Sequence, residues 1–140
     1  MQRRAGFTLF ELMIVVTIIA LIAAFAIPSL LGSLKGGKEA GAISALRTLS
    51  TVSEQYSIRF GGYADSLNRL EMNGYIDSLL GSGTKAGYTY EYNSTRYSWE
   101  CSAAAETLGV TGDRYFYVNH AGVIYANLSG PASTADTPID

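Results

Sequence analysis

Hydrophobic positions are distributed very unevenly along this chain. Between Leu12 and Leu34 no Asp, Glu, Lys or Arg occurs. As a helix this run spans roughly 35 Å at about 1.5 Å per residue, enough to cross a hydrocarbon core of about 30 Å. Beyond Lys38 the pattern turns amphipathic. Ala42, Ile43, Leu46, Leu49, Val52, Tyr56 and Phe60 recur at three- and four-residue steps, whereas Lys38, Glu39, Arg47 and Glu54 stay polar. The spacing predicts one helix from about Thr8 to Arg59. Its first half is apolar all round, and its second half offers a stripe on which a domain can pack. Pro28 sits inside the apolar run and predicts a bend, because proline removes a backbone donor and crowds the preceding turn. Gly36-Gly37 adds a weak point, and Gly61-Gly62 ends the helix.

After residue 61 the periodicity shortens. Asp65 or Ser66 caps a short helix that runs to about Leu70 and is closed by Asn73-Gly74, and residues 75–80 form a further turn. Residues 81–87, rich in Gly and Ser, read as a flexible connection. Alternation begins at Tyr88: Tyr88, Tyr90 and Tyr92 share one strand face, and Tyr97, Trp99 and Cys101 share one on the next strand. Asn93-Ser94-Thr95-Arg96 turns between them. A second hairpin joins residues 114–118 to residues 123–126 around Asn119-His120-Ala121-Gly122. Residues 129–140, mostly Pro, Ser, Thr and Ala, read as a flexible tail. The fold class is therefore α+β: a long bent N-terminal helix whose C-terminal half packs on a small antiparallel head. The expected divisions are 1–6, a leader; 7–37, the apolar half-helix; 38–60, the amphipathic half; 61–128, a head with four strands; and 129–140, the tail.

The junction before the apolar run changes the picture most. Arg3 and Arg4 precede the run, so the positive-inside bias holds the leader in the cytoplasm and sends the rest outward. Two plain readings follow from these residues. One is an uncleaved single-pass anchor. The other is an ordinary secretory signal, with Ala24-Phe25-Ala26 as the small-residue site and a soluble binding domain released from Ile27. Glu11 argues against the second, because it breaks the apolar stretch near its start. An acid within a membrane segment costs about 2.5–3.5 kcal/mol at mid-bilayer and is a functional candidate by default.

The sequence from Gly6 to Pro28, read as Gly6-Phe7-Thr8-Leu9-Phe10-Glu11-Leu12 followed by the apolar run, closely resembles the N-termini of type IV prepilins and of type II secretion pseudopilins. That resemblance implies cleavage between Gly6 and Phe7 by a prepilin peptidase and N-methylation of Phe7. It also implies that Glu11 is an assembly acid, pairing with the N-terminal amine of a neighbouring subunit, and that the turn around Pro28 can unwind within a filament. The head shows a weaker likeness to small pilin-like proteins, in the order Gly74-Tyr75-Ile76-Asp77, the tyrosine-rich hairpin, then Thr111-Gly112-Asp113-Arg114 and Gly122-Val123-Ile124. The implied function is a structural subunit of a type IV pilus or pilus-like filament, with a secretion pseudopilin as the alternative. The implied partners are identical or related subunits, the peptidase, and an inner-membrane assembly platform with its ATPase. The implied location is the bacterial inner membrane first, then the cell surface or a periplasmic pseudopilus. The head lacks the Asp-Pro-x-Gly-like loop usual in major pseudopilins, and Glu11 favours the filament body over its tip. A pilus-forming or minor pilin therefore stands ahead of a pseudopilin.

Other chemistry is sparse. A single Cys101 precludes an intrachain disulfide, unlike the stapled loop of many type IV pilins. His120 is the only histidine and no metal-ligand spacing surrounds it, so no enzyme and no metal site are expected. Major pseudopilins often bind calcium; Asp113 and Asn119 are the candidate oxygen donors here, too few for six to eight ligands. Nucleic acid is an unfavoured partner. Loss of Arg3 and Arg4 takes ten basic residues to eight against twelve acids, a net charge near −4. Arg96 and Arg114 are the one candidate basic patch. The ten tyrosines and five phenylalanines are assigned to strand faces and core rather than to a conducting stack.

Overall fold

A computed structural model describes residues 6–139; residues 1–5, including Arg3 and Arg4 of the expected leader, and Asp140 lie outside the described residues. The chain divides into two compact units between Ser33 and Leu34. Helix α1 (Leu9–Phe60) contributes to both, within one residue of the expected bounds at each end. Among the described residues of the first unit nearly every side chain is exposed, as the all-round apolar pattern requires of a segment with no protein to cover it. Pro28 lies inside the helix, so the carbonyl of Ala24 loses its usual amide partner.

In the second unit α1 buries Glu39, Ala42, Ala45, Leu46, Leu49, Val52, Ser53 and Tyr56, a three-and-four spacing that defines a single stripe. Each fully buried leucine there is worth about 1.5–3 kcal/mol. Phe60 falls off the stripe and is half exposed, its ring tilted against Tyr56 with centroids 4.4 Å apart.

Two short helices follow. In α2 (Leu67–Met72) the Ser66 hydroxyl caps the amide of Arg69 at 3.2 Å, and in α3 (Ser78–Gly81) the Asp77 carboxylate accepts from the amide of Leu80 at 2.9 Å. Gly74, at a φ of 77°, closes α2 in the left-handed conformation that glycine adopts without a Cβ penalty.

The sheet has six antiparallel strands in chain order rather than the four expected: β1 (Thr84–Lys85), β2 (Tyr88–Ser94), β3 (Trp99–Ala105), β4 (Tyr115–Asn119), β5 (Ile124–Asn127) and β6 (Thr137–Ile139). Both additions are edge strands. β6 also corrects the reading of residues 129–140 as a flexible tail. Asp136 accepts from Asn127 Nδ2 at 2.8 Å and from the Ser133 amide at 2.7 Å, which brings Thr137–Ile139 alongside β5. Pro138 is tolerated because an outermost strand has one side free of ladder bonds.

One face of the sheet packs on the helix stripe through Tyr88, Tyr90, Trp99, Cys101, Ala103, Phe116, Val118 and Ile124. Tyr97 is not on that face. It sits exposed in the β2–β3 turn, where Thr95 and Ser98 hydroxyls close the loop.

Two acids read as polar positions off the apolar stripe are part of this packing. Glu39 is buried, accepting from the Asp113 amide at 2.8 Å and from Arg114 Nε at 2.8 Å. Glu54 accepts from the Tyr63 hydroxyl at 2.9 Å and from Trp99 Nε1 at 3.2 Å. They lie at opposite ends of the helix–sheet seam and tie loop and strand to α1. Glu39→Ala should lower unfolding free energy by about 1–3 kcal/mol, since it leaves a buried amide and a guanidinium without their acceptor. Chemical denaturation of the full chain measures this; an unchanged midpoint would exclude the network as a stabilising element.

Burial also sets the alkaline limit of the head. It pushes the Tyr88 and Tyr92 hydroxyls up to about 12, aided at Tyr88 by the negative charge of Glu39, and raises Tyr90 further. The same desolvation pushes the Cys101 thiol up to about 12. Folding thus favours the protonated form of all four groups. Their contribution is complete below pH 9–10, the ordinary range of these groups, and is lost as pH rises toward 12. Within that window each group removes up to about 1.4 kcal/mol per pH unit. Absorbance of the tyrosinates of Tyr88 and Tyr90, which are buried, and of the partly buried Tyr92 should therefore appear only together with loss of near-ultraviolet circular dichroism.

Candidate functional site

The candidate site is the start of α1. Its first turn is organised by a reciprocal cap that the sequence reading missed. The Thr8 amide donates to Glu11 Oε2 at 2.9 Å and the Thr8 hydroxyl donates to the same oxygen at 2.8 Å. The Glu11 amide in turn donates to Thr8 Oγ1 at 3.2 Å. This is a capping box, in which residues three apart satisfy each other's orphan groups. The spacing Thr8-x-x-Glu11 just before an apolar run was the available signal.

The box has two chemical consequences. It holds the Glu11 carboxylate back against Thr8, one residue from Phe7. It also leaves Glu11 Oε1 without a bond in the described structure, so one oxygen of the carboxylate is open to an incoming cation. Gly6 and Phe7 are both exposed to solvent. Two polar side chains of the apolar run are satisfied within the helix. Thr17 donates to the Met13 carbonyl at 2.7 Å and Ser33 to the Ser29 carbonyl at 3.1 Å. Such back-bonding removes the penalty of an unpaired hydroxyl in lipid or in a packed filament core. By length and composition the apolar half of α1 is able to cross a membrane.

Residues considered for other chemistry do not converge. Asp113 precedes β4 and is bonded to Lys35 Nζ at 2.7 Å. Asn119 ends β4, its Oδ1 accepting from the Ala121 amide at 3.0 Å. Six extended residues place them on the order of 20 Å apart, so they cannot share one calcium ion. Among the described residues no group of three or more His, Cys, Asp or Glu side chains is placed to hold a metal. Arg96 and Arg114 lie at opposite ends of the sheet. Arg96 rests on Gly62, whereas Arg114 is engaged by Glu39, so they form no common patch. Cys101 is buried and His120 is exposed in the β4–β5 turn.

Comparison with known proteins agrees with this geometry. Residues 1–27 match the prokaryotic N-terminal methylation motif. The chain is 31% identical over 99 residues to the type IV major pilin protein PilA of Myxococcus xanthus (strain DK1622), covering 71% of this chain and 40% of that protein. It is 31% identical over 71 residues to the type II secretion system core protein G of Vibrio cholerae serotype O1 (strain ATCC 39315 / El Tor Inaba N16961), covering 51% of this chain and 49% of that protein. The chain thus spans less than half the length of each of these curated relatives. The resemblance to type IV pilins and pseudopilins read from Gly6 to Pro28 is upheld, and the long helix with its antiparallel sheet is a pilin-like α+β architecture.

Proposed function

We propose that this chain is a structural subunit of a type IV pilus or pilus-like filament, made as a membrane-anchored precursor and not an enzyme. The observation that carries this reading is the methylation motif set directly on an exposed apolar helix whose Glu11 is held at its first turn. A prepilin peptidase cuts after Gly6, and Phe7 becomes the methylated N-terminus. The precursor waits in the inner membrane with its head outside, and an assembly platform driven by an ATPase withdraws it into the fibre. There the apolar half-helices exchange lipid for one another. Hydrophobicity changes little in that exchange, so packing and the Glu11 contact set the register. One subunit's helix against different surfaces of its neighbours is a heterologous contact, which generates an open helical polymer.

The likeness to a secretion system core protein supports a second reading, a subunit of a periplasmic pseudopilus. Shearing cells and identifying the polypeptides in the purified fibres tests the first reading. Finding this chain as a stoichiometric component supports it. Fibres from the same cells without this chain would overturn it.

A further inference from the structure

The loop between β3 and β4 carries two large apolar side chains that nothing in the head covers: Leu108 is 54% exposed and Val110 is 63% exposed. The loop is not loose. The amides of Val110 and Thr111 donate to the Thr107 carbonyl at 3.0 and 2.9 Å, the Gly109 amide donates to the Gly112 carbonyl at 2.9 Å, and Thr111 Oγ1 accepts from the Thr107 amide at 3.1 Å. Its far end is fastened to α1 at a particular level. Asp113 pairs with Lys35, and Glu39 receives both the Asp113 amide and Arg114. Lys35 directly follows Leu34, the last residue of the uncharged run, and Leu34 is itself half exposed. No charge occurs between Glu106 and Asp113, and the Asp113 carboxylate is neutralised by Lys35.

We propose that the tip of this loop, Leu108 and Val110, is a membrane-interface anchor that dips into the outer headgroup region beside the helix while the precursor awaits assembly. The level decides the occupant. A helix leaving the hydrocarbon at Leu34 puts Lys35 at its boundary and Glu39 about 6 Å beyond, at about 1.5 Å per residue. A loop clamped to those two residues is held next to the zone, about 5–10 Å deep, where interfacial apolar groups reside. Lysine at such a boundary keeps its charge in the headgroups while its stem lies along apolar surface. The clamp therefore fixes the height of the head on the membrane, and extraction must pull the two side chains out together with the helix.

The proposal rests on the membrane-anchored reading given above, and the test separates the two. The full chain, reconstituted in phosphatidylcholine–phosphatidylglycerol vesicles, is labelled with an environment-sensitive fluorophore at Leu108→Cys, Val110→Cys, Tyr97→Cys or Ile22→Cys. The native Cys101 is buried and stays unlabelled. Lipids carrying a shallow spin label should quench Leu108→Cys and Val110→Cys, with loss of iodide quenching, and leave Tyr97→Cys unaffected. Labels at 108 and 110 as open to iodide as the label at 97, with Ile22→Cys quenched by lipid, would overturn the loop anchor and leave the membrane reading intact. Iodide quenching at Ile22→Cys would overturn both. Protection at 108 and 110 that depends on protein density and not on lipid quencher would assign the loop to a second copy of the chain, which also overturns the proposal.

Discussion

Glu11→Ala is expected to insert in the membrane and to be processed after Gly6, yet to be lost from filaments when wild-type subunits compete with it. The carboxylate is exposed in the isolated chain, and among the described residues its only partner is Thr8, which leaves one of its oxygens unbonded. Removing it costs the fold little beyond a helix cap. In a desolvated filament core the balance differs. On the proposed pairing the acid faces the amine of a neighbour there, and truncating one member of a buried charge pair costs about 2–5 kcal/mol. That is on the order of a thirty- to several-thousand-fold bias against the variant at each addition step. Co-expression and quantitative mass spectrometry of sheared filaments measure it. Equal incorporation of variant and wild type would remove Glu11 from the assembly step.

The second large effect lies in the head. Trp99→Ala is expected to destabilise it by about 3–5 kcal/mol, the usual range for truncating a buried tryptophan. Trp99 is almost fully buried, stacks on Tyr92 at 5.8 Å between centroids, and donates its indole N–H to Glu54. Its loss opens a cavity at the seam and halves the bonds that hold the Glu54 carboxylate. Small domains have only about 5–15 kcal/mol in hand, so the variant should be partly unfolded at growth temperature. Trp99→Phe, which keeps ring packing and drops the bond, should recover most of that loss. Urea denaturation of the three proteins separates the terms; an alanine variant with an unchanged midpoint would contradict the packing described.

Much of this was legible in the residues, and the misses have physical reasons. The stripe from Ala42 to Tyr56 and the tyrosine alternation of β2 are strong periodic signals, and both elements fall where expected. β1 has two residues, and β6 has three with a proline among them. Neither is long enough to show alternation, and both exist only because a neighbouring strand offers a ladder. The packing role of Glu39 and Glu54 was missed for a different reason. Charge alone marks a solvated face, and only the tertiary structure supplies the Asp113 amide, Arg114, Tyr63 and Trp99 that make burial tolerable. At the N-terminus the methylation motif was legible, because it is read from a contiguous segment. Thr8 was overlooked there. Its capping-box spacing was visible, yet an acid inside an apolar run drew the reading toward intermolecular pairing alone.

The apolar helix must survive processing for any of this to operate, and intact-mass spectrometry of the exported protein tests that directly. The expected species begins at Phe7 and carries one additional methyl group on its amine. A species beginning at Ile27, with the apolar run removed through Ala26, would contradict the proposed subunit and leave a secreted soluble domain.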